Sequence, residues 1–424
     1  MRTRLTCSLA LLLCACTHGG SSADLGDLGA PADLAVDLRS PPDLSARDLP
    51  PPPDLYLPPA VGALQWGRSF AGATINDVAV APDGSLYLAG SFNVADLGDG
   101  PVTASGPSDV FLVKLDKLGQ RLWARTFGRA YIDAPNRVAV DKDGNAAVVG
   151  YSLRTADTGT HDAFVAVYSP VGAQRSLRYY GGALVTAVDT ASSAAFAADG
   201  SLWVAGGFED RIDLGGGTLV SQGSRDIFVL HLSAAGAHLV SRRFGFTAYD
   251  QASGLTVLPD GDVAVTGGAG YPIDFGDGNP GNDPMVDTFL VRLDPTGAAR
   301  WSKRFRVSPF SSCSVTSGAD GTVWFVGDQN RVVDFGGGPR MPATGRGVFW
   351  AHYAPTGAHL SSTVVPATGG IYLNHAAIDS TGQLVAGGRA DGDIDFGFGL
   401  TTLASGQAFF FKAAESQVRW ARRF

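Results

Sequence analysis

From residue 62 to residue 424 the apolar residues come in short bursts, each cut off by Gly, Asp or Pro. Leu86-Tyr-Leu-Ala89, Val110-Phe-Leu-Val113 and Val138-Ala-Val140 are examples. Bursts of this length, rich in β-branched and aromatic residues and bounded by turn formers, predict strands. The turn before one such burst is Asp83-Gly84, and it returns as Asp143-Gly144, Asp199-Gly200, Asp260-Gly261, Asp320-Gly321 and Thr381-Gly382. The successive spacings are 60, 56, 61, 60 and 61 residues. Each burst ends on a Gly: Gly90, Gly150, Gly206, Gly267, Gly327 and Gly387.

A second run keeps the same period, at Asp109-Val-Phe111, Asp162-Ala-Phe164, Asp226-Ile-Phe228, Asp287-Thr-Phe289, Gly347-Val-Phe349 and Gln407-Ala-Phe409. It leads through a Gly turn to a strand carrying Trp123, Ser176, Val240, Trp301, Ser361 or Trp420. One unit therefore holds four strands. In the first they are A, near Asn76–Ala81; B, Ser85–Ala89; C, Val110–Leu115; and D, Leu122–Phe127. Two-residue Asp-Gly turns between apolar runs signal hairpins. Four antiparallel strands at a fixed period form the blade of a β-propeller. The fold class expected is all-β, a propeller of six four-stranded blades, with seven as the alternative. Strand D occurs once more than A, B and C, because Trp66-Gly-Arg-Ser-Phe70 precedes the first complete unit. The strand around Trp66 is therefore expected to close the ring as the outer strand of the last blade, displacing or flanking the Trp420 strand.

Residues 62–424 resemble the SBBP β-propeller repeats of bacterial extracellular proteins. The likeness rests on Trp123-Ala-Arg-Thr-Phe127, Val138-Ala-Val-Asp-Lys-Asp-Gly-Asn145, the Gly closing strand B, and Asp109-Val-Phe-Leu-Val-Lys-Leu115. It implies architecture and no shared catalytic motif, and the family's name implies seven blades where six complete units are counted.

Composition agrees with strands and turns. Of 424 residues 56 are Gly, and only two are Glu and five Lys, so helix formers are scarce. The formal charge is −8, with no basic run, so nucleic acid is not expected as a partner. Three of the four Cys lie in the first sixteen residues, which leaves no disulfide framework in the body.

The N-terminus reads as an export leader. Arg2 and Arg4 precede an apolar stretch from Leu5 to Leu13 that is too short to span a bilayer. Leu13-Cys14-Ala15-Cys16 resembles the bacterial lipobox, which implies a leader over 1–16 and a diacylated Cys16. The alternative is an ordinary signal peptide with Cys16 incidental. Several acyl chains would anchor the protein stably. The cell envelope follows, as an outer-membrane lipoprotein on its periplasmic face or at the cell surface. Residues 17–61 then repeat Asp-Leu seven times among nine Pro, a composition that cannot bury a core. A disordered tether is expected, about 100 Å long if stretched.

Several repeated residues read as scaffold. Trp123, Arg125 and Phe127 share one face of strand D and predict packing between neighbouring blades, with Arg over the aromatics. Asp-Phe/Leu-Gly, as at Asp334-Phe-Gly336, reads as a loop anchor. His231 and His352 fall where other units carry Lys114 or Arg292, which predicts a solvated position. No metal site and no cofactor is expected.

Departure from repetition marks the candidate site. Strand A enters the channel from the face carrying the long D–A and B–C loops, where function concentrates. Its first positions are Asn76-Asp77, Asn136-Arg137, Ser192-Ser193, Ser253-Gly254, Cys313-Ser314 and Asn374-His375. Tyr131, Asp133, Tyr249 and Asp250 lie in the preceding loops. The candidate ligand site is therefore Asn76, Asp77, Tyr131, Asp133, Asn136, Arg137, Tyr249, Asp250, Asn374 and His375, with water at the mouth as the rival reading. The expected function is a lipid-anchored binding or scaffold module, a monomer, whose partner is an envelope protein or polysaccharide. The alternative is a secreted hydrolase or lyase, for which Asp77, Asp133 and His375 would have to converge.

Overall fold

A computed structural model describes residues 66–155, 159–182, 187–271, 273–278, 288–307, 313–397, 400–401, 407–415 and 417–423. The leader, Cys16 and the tether lie outside the described residues. The described chain is built of strands and turns, in six antiparallel blades arranged as a β-propeller.

Blade 1 consists of strands A (Ala73–Val80), B (Leu86–Phe92), C (Asp109–Leu115) and D (Arg121–Phe127), hydrogen-bonded in that order. Blade 2 runs Asp133–Val140, Ala146–Leu153, His161–Tyr168 and Gln174–Tyr180. Blade 3 runs Thr190–Phe196, Leu202–Phe208, Asp226–Leu232 and His238–Phe244. Blade 4 runs Asp250–Val257, Val263–Ala269, Thr288–Leu293 and Ala299–Phe305. Blade 5 runs Ser314–Ser317, Val323–Gln329, Arg346–Tyr353 and His359–Ala367. Blade 6 runs Ile371–Ile378, Leu384–Ala390, Gln407–Ala414 and Gln417–Arg423.

The A–B turns form because Gly84 and its five counterparts adopt positive φ, from 76° to 88°, a region closed to most residues. Ahead of that Gly, the Asp83 carboxylate accepts the Ser85 amide at 2.9 Å. The Gly expected to close strand B lies inside it, since strand B of blade 3 runs on to Phe208, and it is there for another reason. At Gly206 a Cβ would run into the Thr190 carbonyl and the Phe228 ring, so the aromatic of strand C can lie directly on strand B only over a hydrogen. The Asp-Phe/Leu-Gly tripeptides anchor the B–C loops as expected. Asp334 accepts the amides of Gly336 and Gly338 at 2.7 and 3.0 Å, and Phe335 is buried behind it.

Apolar side chains of each blade interlock with the next. One buried cluster spans blades 1 and 2, and further clusters span 2 and 3, 3 and 4, 4 and 5, and 5 and 6. Burying one such side chain contributes roughly 1.5–3 kcal/mol. At the rim, the Trp123 indole donates to the Pro170 carbonyl at 3.0 Å, and Arg125 donates to Gly172 at 2.7 Å. Trp301 repeats this with Pro355 at 3.0 Å. Arg125 lies over Trp123 at 5.6 Å and Lys303 over Trp301 at 5.9 Å within their own strands, and Lys303 also lies over Tyr353 of the next blade at 5.1 Å, so cation–aromatic contacts and hydrogen bonds to the neighbouring turn both tie blade to blade.

Two expectations are corrected. The His231 and His352 sites are not solvated: His231 is buried and His352 half-buried. Each ring stacks on the Trp of strand B, Trp203 and Trp324, with centroids 4.0 Å apart. The Lys or Arg found there in other units is likewise buried and used, Arg292 donating to Asp262 and to the Pro355 carbonyl at 2.8 Å each. The second correction concerns ring closure. Blade 6 has its own strand D, paired to its strand C. Trp66–Phe70 lies instead on blade 1, with Arg68 donating to the Gly119 carbonyl at 2.9 Å and Phe70 beside Phe111 at 6.4 Å.

Candidate functional site

Strand A is bulged at one position in five of the blades. Its register against strand B slips between Ile75 and Asp77, Pro135 and Arg137, Ala191 and Ser193, Ala252 and Gly254, and Leu373 and His375. The skipped residues are Asn76, Asn136, Ser192, Ser253 and Asn374. A bulge bends a strand and re-aims side chains. The polar columns of the sequence are therefore the bulge residues and those that follow them.

Several of these side chains hold blades together. The Asn136 amide donates to the Ala191 carbonyl at 2.9 Å, and the Ser253 hydroxyl to the Cys313 carbonyl at 3.2 Å. The Asp77 carboxylate accepts the Val138 amide at 2.8 Å, and the Ser193 hydroxyl accepts the Leu255 amide at 3.0 Å. Asn76 is exposed. The side chain of Asn374 lies outside the described residues.

Three members of the second column converge. Arg137 Nη1 lies 2.5 Å from His375 Nδ1 and 3.5 Å from Asp77 Oδ1. This joins blades 1, 2 and 6 within the channel. Burial, and next the Arg137 charge, depress His375 to about 4, with Asp77 opposing. The imidazole is therefore neutral at pH 7. A neutral ring beside a guanidinium accepts at Nδ1 and carries its proton on Nε2.

Asp133 and Asp250 belong elsewhere. Both are almost fully buried beneath the D–A loops, where Asp133 accepts the Arg129 amide at 2.6 Å and Asp250 the Phe246 amide at 3.0 Å. Burial raises both carboxyls, and Asp109 and Asp226 respectively add to the effect. The same arrangement in the next junction takes Asp189 up to about 7, chiefly by burial. Tyr131 is half-buried in its loop and joins no described part of the channel cluster.

Tyr249 joins a second network, centred on a residue that the sequence pattern did not single out. Arg225 donates to the Tyr249 hydroxyl and to Gln251 Oε1, each at 2.7 Å, and to the Val188 carbonyl at 2.5 Å. Gln251 continues to the Ser192 hydroxyl at 3.1 Å. The available signal was that Arg225 stands where blade 1 has Ser108 and blade 2 has His161. No group of three or more His, Cys, Asp or Glu fit to hold a metal occurs among the described residues.

No protein-family model matches the chain. Regulatory protein FlaEY of Caulobacter vibrioides is 27% identical over 233 residues, which is 49% of this chain and 23% of that protein. The chain thus spans less than a quarter of that relative's length. Among solved structures, hydrazine synthase of Kuenenia stuttgartiensis superposes with a TM-score of 0.43 at 12% identity, covering 83% of this chain and 80% of that one. The alpha-L-arabinanase of Penicillium chrysogenum gives 0.39 at 13% identity, covering 75% and 89%.

Proposed function

We propose that the protein is an envelope lipoprotein whose SBBP-type propeller, held off the membrane by the 17–61 tether, binds a polysaccharide or an envelope protein at the channel mouth. The observation that carries this reading is the Asp77–Arg137–His375 cluster. It combines residue types that no other blade repeats, drawn from three blades, in the channel that the propeller scaffold holds fixed. Its chemistry suits recognition. Arg137 is an N–H donor array, and the neutral His375 adds one donor at Nε2.

The hydrolase reading needed Asp77, Asp133 and His375 together. Asp133 lies under a loop, Asp77 is engaged by the Val138 amide, and His375 is a weak base at about 4. Proton transfer near neutral pH favours a group titrating close to that pH. These facts support binding over catalysis.

The test is co-sedimentation of the full chain with purified peptidoglycan and with outer-membrane polysaccharide, alongside Arg137→Ala, His375→Ala and the double variant. Loss of at least tenfold in affinity with the fold retained is expected. Unchanged binding by the double variant, or shortening of the polysaccharide, overturns the reading. The anchor is checked separately by feeding an alkyne fatty acid, with label expected on the wild type and lost in Cys16→Ser.

A further inference from the structure

Five of the B–C loops carry the same device, and the loop of blade 2 does not. In blades 1, 3, 5 and 6 it is a short hairpin: Val94–Asp96 with Pro101–Thr103, Arg211–Asp213 with Thr218–Val220, Val333–Asp334 with Pro339–Arg340, and Ile394–Asp395 with Leu400–Thr401. Blade 4 keeps the Asp274-Phe-Gly276 turn. In blade 2, strand B ends at Leu153 and strand C begins at His161. Residues 154–160 are too few for such a hairpin and contain no Asp-Leu/Phe-Gly.

Each loop covers the junction behind it. Its Leu or Phe after the Asp is buried with a residue near the end of the preceding strand D. Leu214 clusters with Tyr180, Phe275 with Phe244, Phe335 with Phe305, and Phe396 with Val365. Leu97 does the same for Phe70. All five covered residues, Phe70, Tyr180, Phe244, Phe305 and Val365, are at most 8% exposed. Main-chain bonds add to the seat. The Asp96 amide donates to the Ala71 carbonyl at 3.1 Å, and Ile394 pairs with Ala367 beside strand D of blade 5.

Between blades 1 and 2 the counterpart is Phe127, and it is only half-buried. Strand D of blade 2 faces it with Leu177 and Tyr179, both half-buried against the same cluster. At those two positions the other five blades carry Ala or Ser, then Thr, Arg or Val. The larger side chains take part of the room that a hairpin takes elsewhere, yet Phe127 keeps an exposed side. The result is an aromatic trough. Phe164 forms its floor, 5.4 Å from Phe127 and 6.3 Å from Tyr179.

The trough is also basic. Residues 121–132 and 171–188 hold five Arg and no Asp or Glu, in a chain of net charge −8. Arg129 stacks on Tyr179 at 3.3 Å and is paired to Asp162 at 2.9 Å. Arg125 is exposed, donates only to backbone carbonyls, and makes no ion pair among the described residues.

We propose that this trough docks a partner protein through an acidic turn of the type apolar-Asp-Leu/Phe-Gly, inserted as the loops of the other blades are. The Leu or Phe would cover Phe127 over Phe164. The Asp would bring the negative charge that Arg125 favours. The occupant's chemistry is read from five seats of the same build within this chain. Docking of this kind takes affinity from main-chain bonds and specificity from alternate side chains. The trough lies between outermost strands, away from the channel, so this proposal and the channel reading can fail separately.

The probe is a labelled synthetic peptide of Arg211–Val220, the hairpin of blade 3, titrated into the full chain. Saturable binding is expected, and the same peptide with Leu214→Ser should bind at least about tenfold more weakly. Phe127→Ser in the protein should cost at least about tenfold in affinity. Tyr179→Thr should do the same, and it carries a residue that blade 1 already tolerates there, so the test survives if Phe127→Ser fails to fold. The Arg137→Ala, His375→Ala double variant should bind the peptide as wild type does. Absent binding, or equal binding of the Leu214→Ser peptide, overturns the proposal. So does envelope polysaccharide that binds through Tyr179 while the peptide does not, which would make the trough a glycan site. Access is read by Phe127→Cys, whose thiol a maleimide should label at least about tenfold faster than the buried Cys313. Slow labelling in a monomer would mean that the chain covers the trough itself, and slow labelling in a dimer that a second copy does. Either overturns the partner.

Discussion

Arg125 and Arg137 stand twelve residues apart in the sequence and teach opposite lessons. Arg125 is exposed on strand D of blade 1, and it clips the carbonyl of Gly172 in the next blade. Arg68 does the same to Gly119, and Arg242 donates to Thr296 in the corresponding turn at 2.8 Å. Arg137 lies on strand A and bonds to His375 in a way that no other blade copies. The rim repeats because every junction has the same mechanical need. The channel varies because its residues, once the bulge has turned them inward, are not all needed for that job. Substitutions that respect this difference should change stability at the rim and binding in the channel.

The largest effect should come from the repeated interior. Gly206→Val places a branched side chain where the Thr190 carbonyl and the Phe228 ring already lie. Overpacking with a backbone clash should cost more than about 4 kcal/mol. Denaturant unfolding should find the variant largely unfolded, and a folded variant within about 1 kcal/mol of wild type would refute the packing account. Next is a pair of truncations at one repeat position. Leu112→Ala should cost about 2–5 kcal/mol, since Leu112 is fully enclosed between blades 1 and 2. Phe410→Ala should cost about 1 kcal/mol, despite the larger side chain, because the ring is only half-buried. Equal costs would show that the partial exposure of Phe410 does not lessen its contribution.

Much of this contrast was legible in the sequence. The Asp-Gly turns, the Gly of strand B and the aromatic of strand C each sit at a fixed offset, so the four strands of blade 1 were placed within about three residues of those observed. The surplus strand D was visible too. Its position was not, because the sequence does not say whether Trp66 follows its edge to blade 6 or its seat to Gly119. The bulge was equally hidden, since one extra residue in strand A leaves the repeat spacing unchanged. Asp133 and Asp250 were misplaced for a related reason. They begin strand A at the open face, where acids are ordinarily wet, and only the folded D–A loop buries them.

Those loop carboxyls give a pH test. Asp189 stands at about 7 in the fold, against 3.8 for the ordinary group, because of burial opposed by the Glu209 and Gly182 amides. Asp162 raises it further and Arg154 lowers it. A raised native value means that the folded state binds the proton more tightly than the unfolded state. The stability this adds is fully present below the unfolded value and fades as pH rises through the native one. Wild type should therefore lose melting temperature between pH 4 and 8 relative to Asp189→Asn, whose amide cannot ionise. Parallel melting curves across that range would show that Asp189 is ionised throughout.

The smallest stability effects should come from the two arginines, and they return the comparison to its start. Arg125→Ala removes a clip on an exposed strand and should cost about 1 kcal/mol, with no change in polysaccharide binding. Arg137→Ala should cost about as much in stability, but it should act on His375. The Arg137 charge is one of two causes that hold that imidazole at about 4, so its removal should raise the value toward the ordinary 6.5 without reaching it, because burial remains. Ring-proton NMR titration of His375 in the two variants reads this directly. The midpoint should move up in Arg137→Ala and stay put in Arg125→Ala. A midpoint unmoved in both would mean that the guanidinium and the imidazole are not in contact in solution, and the channel cluster would lose its member from blade 6.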